Sequence, residues 1–308
     1  MIVVFGSLNI DMVMRVEHMP KVGETVLCPS YRVIPGGKGA NQAVAAARAG
    51  SEVKLFGKVG EDEFGRMILA SLKEANVDTT GVKITNESST GCASIWVDDR
   101  GENMVIVASG INSFSQQKDV PDFLLARENT LLLQMETPLG ENLGIIKRAK
   151  KIGTRIILNL APAHDVPIDL IKSLDYLIVN QIEATTLALN LGFDVISPSV
   201  AARRIAANFG ITCVVTLGSQ GSIACAREGT WEVKAMEINA VDTTAAGDAF
   251  VGVFASSIDS GMDLPMALRR ASVASGLACL TIGAQVSLPT TDQIEENIKN
   301  VPLPRQIA

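Results

Sequence analysis

Between residues 155 and 217 three short apolar runs recur, Arg155-Ile156-Ile157-Leu158-Asn159, Tyr176-Leu177-Ile178-Val179 and Thr212-Cys213-Val214-Val215-Thr216-Leu217, separated by segments with helix-like apolar spacing. Unbroken aliphatic runs of this length fit parallel strands covered on both faces, and their alternation with helices is the pattern of a doubly wound α/β fold. Working outward, Ile2–Phe5, Val53–Gly57 and Leu131–Met135 repeat the motif. The expected architecture is a mainly parallel sheet flanked by helices, with ligands gathered outside the carboxyl ends of its strands.

Two segments break the alternation. Gly91–Val97 and Asn103–Val107 flank the turn Asp98-Asp99-Arg100-Gly101, and Thr25–Ile34 forms another β-rich stretch before Gly36-Gly37. These predict a small antiparallel sheet outside the main one. Carrying Ile95, Trp96 and Val97 on its two faces, it needs cover, which a lid over a cleft paired with a second subunit provides. The expected division is a core of residues 1–11, 36–88 and 109–308 with a lid of 12–35 and 89–108. A hairpin around Arg227-Glu228-Gly229 follows, then helix Gln42–Ala49 has two long apolar counterparts starting near Gly247 and Leu264, the latter with Asp263 as N-cap and Pro265 in its first turn.

Composition narrows the function classes. The chain has 308 residues, is 47% hydrophobic and 19% charged, and has a net charge of −6 with no basic stripe, so a globular enzyme is expected and nucleic acid is not a partner. The amino terminus reaches Asp11 before a signal-length apolar stretch is complete, and no run approaches the ~18 residues of a membrane span. Cys28, Cys92, Cys213, Cys225 and Cys279 form no C-x-x-C pair, as expected for reduced thiols in a cytoplasmic protein. His18 and His164 are the only histidines and neither stands in a Gly-rich or cleft-like context, which leaves the chemistry to carboxylates, amides and backbone.

The strongest local signal is Asp242-Thr243-Thr244-Ala245-Ala246-Gly247-Asp248-Ala249-Phe250, a small-residue turn opening an apolar helix. Free N–H groups and the positive dipole end favour an anion there, and Ala and Gly let it approach, so Ala245, Ala246 and Gly247 can hold charge on a transferred phosphoryl group. Asp248 in the first turn is then placed to take a proton from an attacking hydroxyl. The plainer alternative is a helix-start carboxylate beside small packing residues. A second turn, Pro35-Gly36-Gly37-Lys38-Gly39-Ala40-Asn41, offers glycine freedom with the donors Lys38 and Asn41, fitting either polyol recognition or a tight turn before a helix. Neither a Walker A nor a G-x-G-x-x-G pattern occurs, which excludes P-loop NTPases and Rossmann oxidoreductases.

Polar residues stand where apolar runs end: Asn9 and Asp11, Glu136, Asn159, and Asn180 with Glu183. In a doubly wound sheet these converge on the ligand crevice. Asn180-Gln181-Ile182-Glu183 pairs an amide with a carboxylate, suited to hydrated Mg²⁺ near phosphates or to a helix cap. Thr216-Leu217-Gly218-Ser219-Gln220-Gly221 suits nucleotide phosphates or a strand-to-hairpin turn.

Together with Gly23-Glu24-Thr25-Val26, Ser89-Thr90-Gly91, Gly101-Glu102-Asn103 and Gln134-Met135-Glu136-Thr137-Pro138, these motifs resemble the ribokinase-like (PfkB) sugar and nucleoside kinases nearly end to end. The Ala-Gly-Asp turn is the element shared by the superfamily, and Gly36–Ala43 with Asn9 and Asp11 resembles its ribose-phosphorylating branch. The resemblance implies transfer of phosphate from ATP to the 5-hydroxyl of D-ribose. Asn9, Asp11, Gly37, Lys38, Asn41 and Glu136 would bind the sugar, Asp248 would be the base, and Asn180 and Glu183 would organise Mg²⁺. Thr216, Gly218, Gly221 and Ser272 would lie along the ATP site. A K⁺ ion would sit near the anion turn on Asp242, the Thr244 carbonyl, Cys279, Gly283 and Ser287, and the lid would form a homodimer interface. Departures from the family pattern stand at Ile111, Leu160, Ser272 and Ile282. The alternatives are a kinase of another furanose or a nucleoside, and a non-catalytic sugar-binding protein on the same fold.

Overall fold

The computed structural model describes residues 1–98, 100, 103–194 and 197–307. The strands are β1 (Ile2–Phe5), β2 (Asn9–Arg15), β3 (Tyr31–Gly36), β4 (Val53–Gly60), β5 (Asp78–Thr85), β6 (Gly91–Val97), β7 (Asn103–Ala108), β8 (Thr130–Leu133), β9 (Arg155–Asn159), β10 (Tyr176–Asn180), β11 (Thr212–Thr216), β12 (Ser222–Ala226), β13 (Gly229–Val233) and β14 (Arg305–Gln306). The helices are α1 (Lys38–Arg48), α2 (Glu63–Glu74), α3 (Leu139–Ile152), α4 (Ile168–Ile171), α5 (Gln181–Asn190), α6 (Pro198–Phe209), α7 (Ala246–Asp259), α8 (Leu264–Ala278) and α9 (Thr291–Asn297).

The large sheet has the order β14-β13-β12-β11-β10-β9-β8-β1-β4-β5. From β5 to β11 every pairing is parallel, and β12, β13 and β14 add an antiparallel edge. Alternation splits the core as the unbroken runs required: Ile2 and Val4 pack on one face with α1, α7 and α8, whereas Val3 and Phe5 pack on the other with α3, α5 and α6. From β1 the chain winds one way to β4 and β5, then crosses to β8 on the other side. The switch point therefore lies between the carboxyl ends of β1 and β8, where a doubly wound sheet opens its crevice.

The small sheet has the order β3-β2-β6-β7, antiparallel in its two outer pairs and parallel between β2 and β6. Asn9 and Asp11, expected at the end of the first apolar run, are instead the first and third residues of β2, the strand that carries the chain out of the core. Residues 25–30 of the expected Thr25–Ile34 stretch are irregular, with Pro29 lacking a ladder donor and Leu27 90% exposed; only Tyr31–Gly36 pairs. Of the turn Asp98-Asp99-Arg100-Gly101 and the motif that follows it, Asp99, Gly101 and Glu102 lie outside the described residues.

Helix α1 starts at Lys38 rather than Gln42, because Gly37 with φ 88° takes the N-cap and leaves Lys38 and Asn41 in the first turn. That turn rides on the first strand's exit: a Cβ on Gly39 would lie 2.5 Å from the Ser7 nitrogen and 2.6 Å from the Gly6 carbonyl carbon. Gly39→Ala is expected to cost about 1–3 kcal/mol through this backbone clash. Urea unfolding reads it directly, and an unchanged midpoint at unchanged slope would refute the close approach. Helix α8 starts as its sequence announced, with the Asp263 side chain accepting the Met266 N–H.

Candidate active site

Small residues bring the site together. Gly252 of α7 leaves no room for a Cβ, which would sit 2.5 Å from the Ala45 Cβ and 2.6 Å from the Gln42 carbonyl oxygen. The two helices therefore pack nearly backbone to backbone, and Asp248 at the start of α7 meets Asn41 and Gln42 of α1. The Asn41 amide donates to Asp248 Oδ2 at 2.9 Å, and Gln42 Nε2 donates to Asp248 Oδ1 and Asn159 Oδ1, both at 2.9 Å. Gln134 Nε2, just past β8, donates in turn to Gln42 Oε1 at 2.7 Å. Burial raises the Asp248 pKa and Glu136 adds to the rise, while Lys38 and the two amides oppose it. The carboxylate is thus oriented by neutral donors without being locked in an ion pair.

A second cluster sits at the switch point. Glu136 Oε2 accepts from Ser7 Oγ at 2.6 Å, the Lys38 N–H at 3.1 Å and Asn9 Nδ2 at 3.5 Å. Asn112 clasps both the N–H and the carbonyl of Leu8 and donates to Asn9 Oδ1 at 2.8 Å. Asp11 is buried and its carboxylate has no hydrogen-bond partner among the described residues; Gly36 makes room for it, since a Cβ there would lie 2.3 Å from Asp11 Oδ2. Burial, then the charges of Glu136 and Asp248, push the Asp11 pKa up to about 7 against the pull of Lys38. For Lys38 burial works downward, but Asp248, Glu136, Glu183 and Asp11 outweigh it and hold the ammonium above its ordinary value.

Asn9, Asn112, Met135, Glu136, Pro162 and His164 line a cavity of about 460 Å³ beside this cluster. His164 in its wall corrects the expectation that neither histidine stands in a cleft. The Ala161 carbonyl accepts the Met135 N–H at 3.0 Å, and this tie folds the segment after β9 across the strand ends.

At the turn before α7, Ala245 is the N-cap with φ 59°, a left-handed conformation that costs a residue bearing a Cβ roughly 1 kcal/mol or more. The Gly247 and Asp248 N–H groups lack acceptors within the helix, and a Cβ on Gly247 would meet nothing within 4 Å, so the approach to them is open. Behind the turn, Asp242 Oδ1 accepts the Thr244 N–H and Oδ2 the Gly283 N–H, both at 2.9 Å, and the Cys279 carbonyl accepts the Val241 N–H at 2.8 Å. Burial raises the Asp242 pKa, but these donors and the charge of Arg32 outweigh it and the net shift is downward. The Ser287 hydroxyl donates to the Ala284 carbonyl at 2.8 Å. An ionised carboxylate amid backbone carbonyls is a donor set of hard oxygens, the kind a large monovalent cation takes.

Asn180 and Glu183 form a reciprocal capping box at the start of α5, each side chain accepting the other's backbone N–H at 2.8 Å. Burial raises the Glu183 pKa, and Oε1 has no hydrogen bond among the described residues, so one oxygen remains for a metal-bound water. Gly218 and Gly221 after Thr216 both have positive φ, and a Cβ on Gly221 would lie 2.0 Å from the Val233 carbonyl oxygen. Ser272 is buried in α8 with its hydroxyl unpartnered among the described residues. Sequence reasoning missed Ser7, Asn112 and Gln134 as site residues, and the role of Gln42 as a partner of Asp248. For Gln134 the signal was a polar side chain directly after an apolar run, which burial obliges to find a partner.

A profile of "pfkB family carbohydrate kinase" matches residues 1–291. The chain belongs to the pfkB family of carbohydrate kinases. Among its pfkB relatives, a ribokinase from Haemophilus influenzae is 34% identical over 96% of this chain and 98% of its own length. A deoxyribokinase from Salmonella typhi is 32% identical over 96% and 97%. The solved structure of an Arabidopsis thaliana ribokinase complexed with ribose and ATP superposes with a TM-score of 0.86 at 29% identity, covering 97% of this chain and 98% of that one. Being a pfkB carbohydrate kinase, the protein is a sugar kinase, an enzyme that transfers a phosphoryl group to a sugar. Among the described residues no helix is long and apolar enough to cross a membrane.

Proposed function

We propose that this pfkB kinase transfers the γ-phosphoryl group of ATP to the 5-hydroxyl of D-ribose, giving D-ribose 5-phosphate and ADP. The observation that carries this reading is the Asp248 carboxylate, aligned by Asn41 and Gln42 beside the open helix start and next to a cluster of hydroxyl-binding groups. In that reading Asn9, Asp11, Lys38, Asn41 and Glu136 bind the sugar, with Gly37 allowing its close approach. As the sugar oxygen bonds to phosphorus and the bond to the β-phosphate breaks, Asp248 takes the hydroxyl proton. The turn Ala245-Ala246-Gly247 meets the developing charge through fixed N–H dipoles, which need no reorganisation at the moment of transfer. Glu183, with Asn180, would hold hydrated Mg²⁺ that accompanies ATP and neutralises its phosphates. Thr216, Gly218, Gly221 and Ser272 would flank the nucleotide.

Asp242, the Thr244 carbonyl and groups at Cys279, Gly283 and Ser287 would hold a K⁺ ion that stiffens the anion turn. Exchanging K⁺ for Na⁺ is expected to lower kcat about tenfold, a coupling near 1.4 kcal/mol. Steady-state rates in matched salts measure it, and Asp242→Ala should abolish the difference; equal rates in both salts would sink the cation assignment.

The small sheet would act as a lid, keep water from the phosphate and pair with a second copy. Met104, Val105, Ile106 and Val107 on its edge strand are each 45–61% exposed, an apolar edge that a homodimer would cover. The test of substrate is ADP release with Mg-ATP and K⁺ in the presence of D-ribose, 2-deoxyribose, fructose, adenosine or no acceptor. Ribose-dependent turnover is expected. The deoxyribokinase relative supports 2-deoxyribose as the second reading. Silence with every acceptor would move the protein to the sugar-binding alternative.

A further inference from the structure

At the amino ends of the strands, on the side of the sheet away from the crevice, lies a second cavity of about 500 Å³. Arg127, Lys150, Arg155, Lys172 and Arg227 line it, drawn from the start of β8's approach, the end of α3, the start of β9, the end of α4 and the β12–β13 hairpin. None of the five forms an ion pair among the described residues. Arg155 donates to Thr130 Oγ1 at 3.1 Å and Arg127 to the Ile152 carbonyl at 3.3 Å, both neutral acceptors. Two carboxylates share the lining, Asp175 and Glu228. One Asp175 oxygen is already committed, accepting the Ile156 N–H at 2.8 Å.

The charge balance decides what this cavity can take. Five cations against two carboxylates leave three positive charges. The carboxyl ends of α3 and α6 reach the cavity at Gly153 and Gly210, and each contributes about half a negative charge. About two positive charges remain, gathered within one concavity of a chain whose net charge is −6. Neutralising helix ends would account for Lys150 alone. An excess of cations over carboxylates favours a bound anion, and concave walls focus the resulting field. Tyr176 and Thr212 also border the cavity. A volume of this size suits a small ligand, not a macromolecule.

We propose that this cavity binds a small phosphate-bearing anion, with Arg155, Lys172 and Arg227 as its principal ligands. It is separate from the phosphoryl-transfer site: β9, β10 and β11 each begin at the cavity, with Arg155, Tyr176 and Thr212, and end at the crevice, with Asn159, Asn180 and Thr216. The two sites therefore sit about 13 Å apart along the same strands.

The experiment uses inorganic pyrophosphate as the probe, on the full chain, read by titration calorimetry and by hydrogen–deuterium exchange. Pyrophosphate is expected to bind and to protect residues 150–155, 172–176 and 226–229. The double variant Lys172→Glu, Arg227→Glu should weaken that binding at least tenfold and remove the protection, while its melting temperature and kinase turnover stay as in the parent. Both substitutions are on exposed side chains, so loss of fold is not a route to the same result. Competition then separates the sources: displacement of the probe by a pentose phosphate or by a nucleoside diphosphate identifies which supplies the phosphate, and displacement by neither leaves inorganic phosphates as the ligand. Equal pyrophosphate affinity in parent and double variant, or protection confined to residues 242–248, would overturn the proposal.

Discussion

Asp248→Asn is expected to lower kcat by about 10³-fold, close to 4 kcal/mol of barrier, while sugar affinity stays within about threefold of the parent. The asymmetry follows from the geometry. Asp248 accepts two amide N–H groups, from Asn41 and Gln42, so its remaining capacity is what an incoming hydroxyl would use. Asparagine keeps the shape and one acceptor, but its NH₂ meets one of those donors head on, and that amide must rotate. Stability changes little, because the penalty for facing donors is offset by removing a buried carboxylate whose pKa burial has already raised. Single-turnover phosphoryl transfer, with sugar binding measured separately by calorimetry, distinguishes the two effects. Near-normal turnover would remove Asp248 as the base.

The second large effect concerns Asp11, and it has opposite signs in stability and in binding. Its carboxyl holds a proton up to about pH 7 in the folded chain against an ordinary value of 3.8. The folded state therefore binds the proton more tightly than the unfolded state. Stability from this group is fully present below about pH 4 and drains away as pH rises to 7, with a total of at most about 4 kcal/mol. Asp11→Asn removes that loss: the ligand-free variant should be more stable than the parent by roughly 2–4 kcal/mol at pH 8 and indistinguishable from it at pH 4. Sugar binding should suffer in return, by about 10–150-fold, since a hydrogen bond to a charged acceptor is worth about 1.5–3 kcal/mol. The parent's sugar affinity should rise with pH through 7 and the variant's should not. Chemical denaturation across pH, beside calorimetry with D-ribose, measures both; a variant equally stable at both pH values would mean that Asp11 is not a strained carboxylate.

Much of this arrangement was readable from residue types. The runs 155–159, 176–179 and 212–216 are strands, as short aliphatic runs alternating with helical segments suggested, and the small-residue turn with Asp248 starts a helix. Less visible was how far glycine shifts a boundary. Gly37 caps α1 so that the helix begins at Lys38, four residues before the expected start at Gln42, and the donors Lys38 and Asn41 belong to a helical turn and not to a loop. Ser7, Asn112 and Gln134 were hidden for another reason: each meets a partner more than ninety residues away, as in Ser7 to Glu136, Asn112 to Leu8 and Gln134 to Gln42. His164 was misplaced because one backbone bond, from Met135 to Ala161, redirects its segment, and a local reading has no access to that bond.

The hydrogen bonds from α1 to Asp248 join residues 207 and 206 positions apart in the chain. During synthesis the polar groups of β2 and α1 are made early, whereas Asp248 arrives only with α7. A nascent chain halted before residue 245 carries a half-site able to present amides but without a carboxylate to align. The cluster of Asn41, Gln42 and Asp248 is thus completed late in synthesis. Contacts of such high sequence separation slow folding, so this cluster is expected to form after the local secondary elements.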